Sequence, residues 1–239
     1  MRKLILFTLL IVSLGAYAQE QLYKVTLLRA KPGALLQLID VIKEDLSKHK
    51  VYLENKPYLL RHSQGDHWDL MLIYPIQNLN TYFSDDQMRM RRNSATFEQP
   101  YGDEFFNYVS FQEEAIVAGP EKGLFADVME KHNLFHIEIF TALGGKQKEL
   151  LKQRERENIY YAGIDHKPNF IFTRVFGPSW DNFTIGGYMD MHDFAGPDVP
   201  FEIEEKAARD AGFEGVNYIG SYLRSLISSH HDTLAKKVK

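Results

Sequence analysis

The stretch "GDHWDLMLI" at residues 65–73 has a counterpart in "GPSWDNFTI" at residues 177–185, with Gly, Trp and Asp in the same places. The second stretch begins at residue 177 instead of 65, an offset of 112 residues. At the same offset, "LYKVTLLRAKPG" (22–33) aligns with "LFHIEIFTALGG" (134–145), and apolar and turn positions agree over about fifty residues without a gap. Self-similarity of this kind indicates a duplicated structural unit.

Each half predicts the same series of elements. A strand, at 23–29 or 135–141, ends at a Gly-containing turn and is followed by a helix. Two further strands then meet in the hairpins that contain the Gly–x–x–Trp–Asp frames. A helical stretch and a closing strand complete each half, at 78–108 and 112–119 in the first and at 201–226 and 229–238 in the second.

The helix after the opening strand differs in polarity between the halves. In the first half, apolar residues recur at helical spacing from Leu35 to Leu46, which favours an amphipathic helix. In the second half, the sequence from about Gln147 is far more polar and charged, so its helical pattern is weaker.

The order β-α-β-β-α-β is that of the ferredoxin-like split βαβ unit. Its helices cover one face of its sheet, and the other face must be buried as well. Two such sheets can bury each other by closing into a barrel. The sequence therefore predicts an α+β fold in which two tandem ferredoxin-like units, at 19–120 and 121–239, pack their antiparallel sheets into one intramolecular α/β barrel.

The paired hairpins and the two strand–Gly–helix openings resemble the dimeric α/β-barrel superfamily, which includes antibiotic-biosynthesis-monooxygenase-like and NIPSNAP-like proteins. The resemblance covers nearly all of the chain after residue 18. It implies the barrel fold and an interior large enough for a ligand. It does not imply one activity, because the superfamily contains enzymes, haem-handling proteins and members with no known chemistry.

The first 18 residues are typical of a secretory signal peptide. A basic pair follows Met1, an apolar run occupies 4–12, and an Ala-x-Ala motif ends at Ala18. The apolar run is too short to span a bilayer, so a membrane anchor is the weaker interpretation. We expect cleavage after Ala18 and a periplasmic or secreted product that is not inserted in a membrane.

The composition excludes several kinds of functional site and gives no reason to expect one kind of partner. The chain has no cysteine, which excludes disulfides, thiolate metal sites and a cysteine nucleophile. The net charge of −4 gives no reason to expect a nucleic acid as a partner. We expect a small organic molecule as the partner and a monomer or homodimer, and the sequence names no cofactor.

Strand alternation sorts the candidate site residues by face. We expect Phe135, Ile137 and Ile139 to face the helices, and His136 and Glu138 to face the barrel interior. An enclosed cavity with a few convergent polar groups is the usual form of a small-molecule pocket. The residues expected to bind a ligand there are Trp68, Arg174, Trp180, Asn182 and Thr184.

The polar residues raise two kinds of chemistry. The run "HHD" at 230–232 contains metal-ligand residue types, but neighbouring strand residues point to opposite faces, so His230 and His231 cannot enter one pocket together. A metal site would need His136 and Glu138 to complete it, and we assign none. Proton transfer is the alternative, with His136, Glu138 and His231 as the catalytic residues.

Three functions remain open. The first is a monooxygenase-like or isomerase-like enzyme that acts on a small organic molecule. The second is a non-catalytic protein that binds a small ligand or haem. The third is a structural or interaction protein whose barrel is filled by side chains, as small barrels often are.

Overall fold

A computed structural model describes residues 21–48, 57–93 and 103–238. The predicted signal peptide lies outside these residues. Within them, no helix combines the length and the apolar character that crossing a membrane requires.

Both halves contain the predicted series of elements. The first half consists of β1 (Gln21–Ala30), α1 (Leu35–Lys48), β2 (Tyr58–Gln64), β3 (Leu70–Ile76), α2 (Leu79–Tyr82), α3 (Asp85–Asn93), α4 (Asp103–Tyr108) and β4 (Val109–Gly119). A helix that the sequence did not predict, α5 (Lys122–Lys131), leads into the second half. There follow β5 (Leu134–Ala142), α6 (Gln147–Gly163), β6 (Phe170–Phe176), β7 (Asn182–Tyr188), α7 (Met191–Ala195), α8 (Phe201–Asp210), α9 (Val216–Arg224) and β8 (Ile227–Lys237).

The eight strands form one closed barrel in the order β1-β3-β2-β8-β5-β7-β6-β4. Each half contributes four consecutive strands in the ferredoxin-like order, and the halves join where β2 pairs with β8 and where β4 pairs with β6. All of these pairs are antiparallel. The predicted α+β barrel is therefore confirmed.

The Gly of each Gly–x–x–Trp–Asp frame lies where a hairpin meets the last strand of the other half. Gly65 and Gly177 have φ values of +121° and +120°, which favour glycine. A Cβ atom on Gly65 would lie 1.9 Å from the carbonyl oxygen of Asp232, and one on Gly177 would lie 2.5 Å from that of Glu114. Glycine thus allows the close backbone approach at both junctions between the halves.

The Asp of each frame holds the end of the opening strand. Oδ2 of Asp69 accepts a hydrogen bond from the backbone N–H of Ala30 at 2.7 Å, and Oδ2 of Asp181 accepts one from that of Ala142 at 2.8 Å. The frame recurs because each half builds the same hairpin and anchors it in the same way.

The barrel interior is filled by apolar side chains. All eight strands contribute to one buried cluster, and the aromatic ring of Phe125 in α5 packs edge-on against Tyr23 and Phe172, with centroids 5.6 and 5.2 Å away. Trp68 and Trp180 belong to this cluster and are 0% and 5% exposed. The expectation that these two tryptophans line an open cavity is therefore wrong, because both are packed among the other side chains of the cluster.

The facing predicted for the opening strand of the second half is also wrong. Phe135, Ile137 and Ile139 belong to the interior cluster, and His136 and Glu138 lie on the face that the helices cover. Both faces of the sheet are buried, so apolar character alone does not identify the helix-covered side. Polar side chains without partners are costly inside the closed barrel, so the interior takes the more apolar set.

Candidate functional site

The polar side chains of the second half meet between its sheet and helix α6. We call this set the polar layer. It consists of His136 and Glu138 of β5, Asn182 and Thr184 of β7, His230 and Asp232 of β8, and Gln153, Arg154 and Glu157 of α6. The strand pairing brings the members together, because Glu138 lies opposite Thr184 on one side and Asp232 on the other.

Two imidazoles and two carboxylates form the centre of the polar layer. Nε2 of His136 lies 3.1 Å from Oδ1 of Asp232. Nε2 of His230 lies 3.4 Å from the same oxygen and 3.3 Å from Oε1 of Glu138. The Asp232 side chain is 56% exposed, so the cluster opens to the surface at this residue.

Glu138 is the buried end of the cluster. Its Oε2 accepts a hydrogen bond from Thr184 at 3.1 Å and lies 3.6 Å from Nη1 of Arg154. Arg154 is itself buried, forms an ion pair with Glu157 and lies over the Phe140 ring at 4.6 Å. One oxygen of Glu138 is therefore fixed by the helix and β7, and the other faces His230.

These contacts shift the pKa values of the cluster. Hydrogen bonds to Asp232 and Glu138 raise the pKa of His230 to about 9, so that its imidazole is protonated at neutral pH. Hydrogen bonds from His136 and His230 hold the pKa of Asp232 well below its usual range. Burial alone would raise the pKa of Glu138, but the hydrogen bond from His230 and the charge of Arg154 outweigh it and lower that pKa.

The first half has a matching network with different residue types. Glu114 aligns with Asp232, and it contacts Nζ of Lys24 at 2.9 Å and Nε2 of Gln112 at 3.0 Å. Lys24 aligns with His136 at the offset of 112. The closing strands align at an offset of 118, because Glu114 lies opposite Thr26 as Asp232 lies opposite Glu138, and Gln112 therefore aligns with His230. The second half therefore keeps the carboxylate and has imidazoles where the first half has an ammonium and an amide.

Three further members of the polar layer have apolar counterparts in the first half. Arg154 aligns with Ile42, Asn182 with Leu70 and Thr184 with Leu72. The first-half residues form a buried apolar cluster together with Leu28, Leu38, Ile39, Leu46, Leu59 and Phe105. The second half is thus polar at three positions where the first half has an apolar core, and both halves keep a charged pair beside them.

His231 and Arg174 lie outside this layer. Strand alternation turns His231 to the other face of β8, where Nδ1 lies 3.6 Å from Oδ1 of Asp66. Arg174 donates hydrogen bonds to Oδ1 of Asp181 at 2.6 Å and to the carbonyl of Pro178 at 2.9 Å. It therefore stabilises the hairpin between β6 and β7.

The tryptophans predicted to bind a ligand are interior residues with partners of their own. Nε1 of Trp68 donates to Oδ2 of Asp66 at 3.1 Å, and Nε1 of Trp180 donates to Oε2 of Glu113 at 2.9 Å. Of the predicted site residues, the structure therefore brings together His136, Glu138, Asn182 and Thr184.

Sequence reasoning missed the contribution of α6. Gln153, Arg154 and Glu157 were not singled out, although all three are polar and lie within the stretch whose polarity weakened the helical pattern. The polarity of this helix was a usable signal. In the alignment of the two halves, Arg154 stands at the position of Ile42, which is a core residue in the first half.

A groove of about 430 Å³ begins beside the polar layer. Leu134, one of its lining residues, is two positions before His136 in β5 and so shares its face. Met189 and Met191 line the same groove and are more than half exposed. The groove thus offers three apolar side chains, and Asn133, Asp190, Lys236 and Lys237 complete its lining.

No protein-family model matches the chain, and a comparison with curated proteins found no match. Among solved structures, an anthrone oxidase-like protein matches with a TM-score of 0.61 at 10% identity, over 93% of both chains. A candidate monooxygenase from Fusobacterium nucleatum subsp. nucleatum ATCC 25586 matches with a TM-score of 0.54 at 10% identity, over 92% of this chain and 93% of the other. A candidate chlorite dismutase matches with a TM-score of 0.51 at 12% identity, over 92% and 95%.

Proteins of these kinds belong to the dimeric α/β-barrel superfamily. At such low identity the likeness concerns the fold and does not transfer an activity. Together with the closed barrel of two matching halves, it identifies this chain as having the dimeric α/β-barrel fold, with both units on one polypeptide.

Proposed function

We propose that the protein is a monooxygenase-like enzyme that binds a small organic molecule at the polar layer of its second half. The imidazole of His136 takes a proton from the substrate, and Asp232, His230 and Glu138 orient that imidazole and carry the charge behind it. Asp232, whose side chain is 56% exposed, lies at the open end of the cluster, the two imidazoles are partly exposed, and Glu138 is the most buried of the four.

The contrast between the two halves carries this proposal. Buried ion pairs are often no more stabilising than well-packed apolar residues of similar volume, and removing one partner leaves an uncompensated charge. The first half shows that the fold accepts apolar residues where the second half has Arg154, Asn182 and Thr184. Buried polar residues at positions where the fold accepts apolar ones are typical of a functional site.

The apolar side chains of the groove and the proton-accepting cluster together suit an aromatic substrate with an activated methylene group. Loss of a proton gives a carbanion that is rich enough in electrons to react with dioxygen. The methylene carbon becomes a carbonyl with one oxygen atom of O₂, and the other oxygen leaves as water with the two hydrogens. The substrate supplies all the electrons, so the reaction needs no separate reductant.

A haem does not fit the polar layer. Arg154 lies directly over Phe140, and the Phe140 ring stacks on His230 with centroids 4.8 Å apart, so α6 and the sheet are in contact where a porphyrin would have to lie. Nε2 of both His136 and His230 is directed at a carboxylate. We therefore derive no haem chemistry for this site.

Export is part of the proposal. The signal-peptide pattern at 1–18 suggests that the enzyme acts outside the cytoplasm. Protease protection of the full chain in intact and permeabilised cells tests this, and a product that is protected in both contradicts it.

The test of the activity is oxygen consumption with anthrone and related aromatic methylene compounds. We expect Glu138→Gln to lower the rate by at least about 100-fold, because positioned acid–base groups contribute about 10²–10⁴-fold. Glu114→Gln is the matched control, since Glu114 belongs to the equivalent network of the first half. A folded Glu138→Gln variant with an unchanged rate would contradict the proposal.

A further inference from the structure

We infer that His136, Glu138 and Asp232 bind a divalent transition-metal ion. The inference rests on the proposed function in one respect, because it takes the same cluster to be the functional centre. It goes further by naming a cofactor for that cluster. A single ion would replace the protons that these side chains otherwise share.

The spacing of the ligand atoms suits such an ion. Zinc binds imidazole nitrogen and carboxylate oxygen at about 2.0–2.2 Å, and tetrahedral ligands at that distance lie about 3.3–3.6 Å from one another. Nε2 of His136 and Oδ1 of Asp232 are 3.1 Å apart, slightly closer than that. One ligand atom each from His136, Glu138 and Asp232 fall within 4.8 Å of one another. Small side-chain rotations would complete the coordination.

The charge and the ligand types also suit a divalent cation. Two carboxylates balance its two positive charges, and imidazole with carboxylate is a ligand set for zinc and for non-haem iron. Oε1 of Glu138 faces His230 and is placed to bind. Its Oε2 contacts Thr184 and Arg154, which act as the outer partners that orient metal-binding carboxylates.

Arg154 does not leave excess positive charge beside the ion. Its guanidinium forms an ion pair with Glu157, and its Nε donates a hydrogen bond to Gln153 at 2.7 Å. The carboxylates of Asp232 and Glu138 therefore remain the counter-charges for the metal.

The first half shows the same frame without metal-binding residues. Lys24 replaces His136, and its ammonium contacts Glu114 at 2.9 Å. Thr26 replaces Glu138, and Gln112 replaces His230. The ammonium of Lys24 is therefore a fixed cation in the first-half network. In place of Lys24, Gln112 and Thr26, the second half has two imidazoles and a second carboxylate.

The test is calorimetric titration of the full chain with ZnCl₂, and with Fe²⁺ under anaerobic conditions, after treatment with EDTA and dialysis. We expect one equivalent to bind and protons to be released, which is detected by comparing buffers of different ionisation enthalpy. His136→Ala and Asp232→Asn should each weaken binding by at least about tenfold, the lower end of what an outer-shell partner costs. Asp232 is half exposed, so its substitution tests the site with little risk to folding.

Two control variants should bind the metal with unchanged affinity. Glu114→Gln changes the network of the first half, and His231→Ala removes the imidazole next to His230 that faces the other way. The inference is overturned if neither metal binds at micromolar concentration, or if binding is the same in His136→Ala and Asp232→Asn as in the unchanged chain. Loss of turnover in Glu138→Gln without metal binding would leave the proposed function standing and reject only the metal.

Discussion

The two frame aspartates have the same role at the residue scale but different surroundings. Asp69 and Asp181 each accept a hydrogen bond from the N–H at the end of the opening strand, and Asp181 also pairs with Arg174. We expect Asp181→Ala to lower the free energy of unfolding by about 1–3 kcal/mol, because a buried donor loses its partner. Asp69→Ala should cost less. Chemical denaturation followed by circular dichroism measures both, and equal losses would contradict the role of the Arg174 pair.

Residue patterns predicted the hairpins but not the direction of every side chain within them. Trp68 and Trp180 were expected to face inward, and both do. Asn182 and Thr184 were expected to face inward as well, and they face α6 instead. Asp181, between Trp180 and Asn182, accepts a hydrogen bond from the N–H at the end of the opening strand. Regular alternation of side chains begins only after this residue, so Trp180 and Phe183 share one face. Counting alternation through this turn from sequence alone therefore fails.

At the scale of the element, α6 packs a buried cation against β5. We expect Arg154→Ile to lower the free energy of unfolding by about 3–5 kcal/mol, because Glu138 and Glu157 lose their buried counter-charge. Adding Glu138→Thr should recover part of that loss, since both substitutions copy the first half, where Ile42 and Thr26 stand. Equilibrium unfolding of the single and double variants measures the coupling, and additive losses would contradict it.

Elements were predicted better than their faces. The opening strands, the hairpins and both long helices lie where the repeat placed them, because strand and helix periods are local properties of the chain. Which side chains point into the barrel depends on which side of the sheet becomes the closed interior. That side is set when the strands of the other half close the barrel. The link helix α5 was missed, and its Phe125 fills one end of the interior cluster.

At the scale of the whole molecule, closure depends on the two hairpin glycines. We expect Gly65→Ala to lower the thermal unfolding midpoint more than Gly33→Ala. Both positions have positive φ, which alone costs an alanine about 1–2 kcal/mol, but only at Gly65 would the new methyl meet the backbone of the other half. Hydrogen exchange should show the extra loss in the pairing of β2 with β8. Equal midpoints for the two variants would contradict the closure role.

The central claim is that the ligand binds at the polar layer and not inside the barrel. The most direct measurement is NMR of a chain labelled at its histidine and tryptophan side chains, titrated with the aromatic methylene compounds. The chain has only two tryptophans, and both lie in the interior cluster, so their indole signals report on the barrel. We expect the His136 and His230 signals to move while both indole signals stay unchanged. Indole signals that move while the two imidazoles do not would place the ligand in the barrel and contradict the claim.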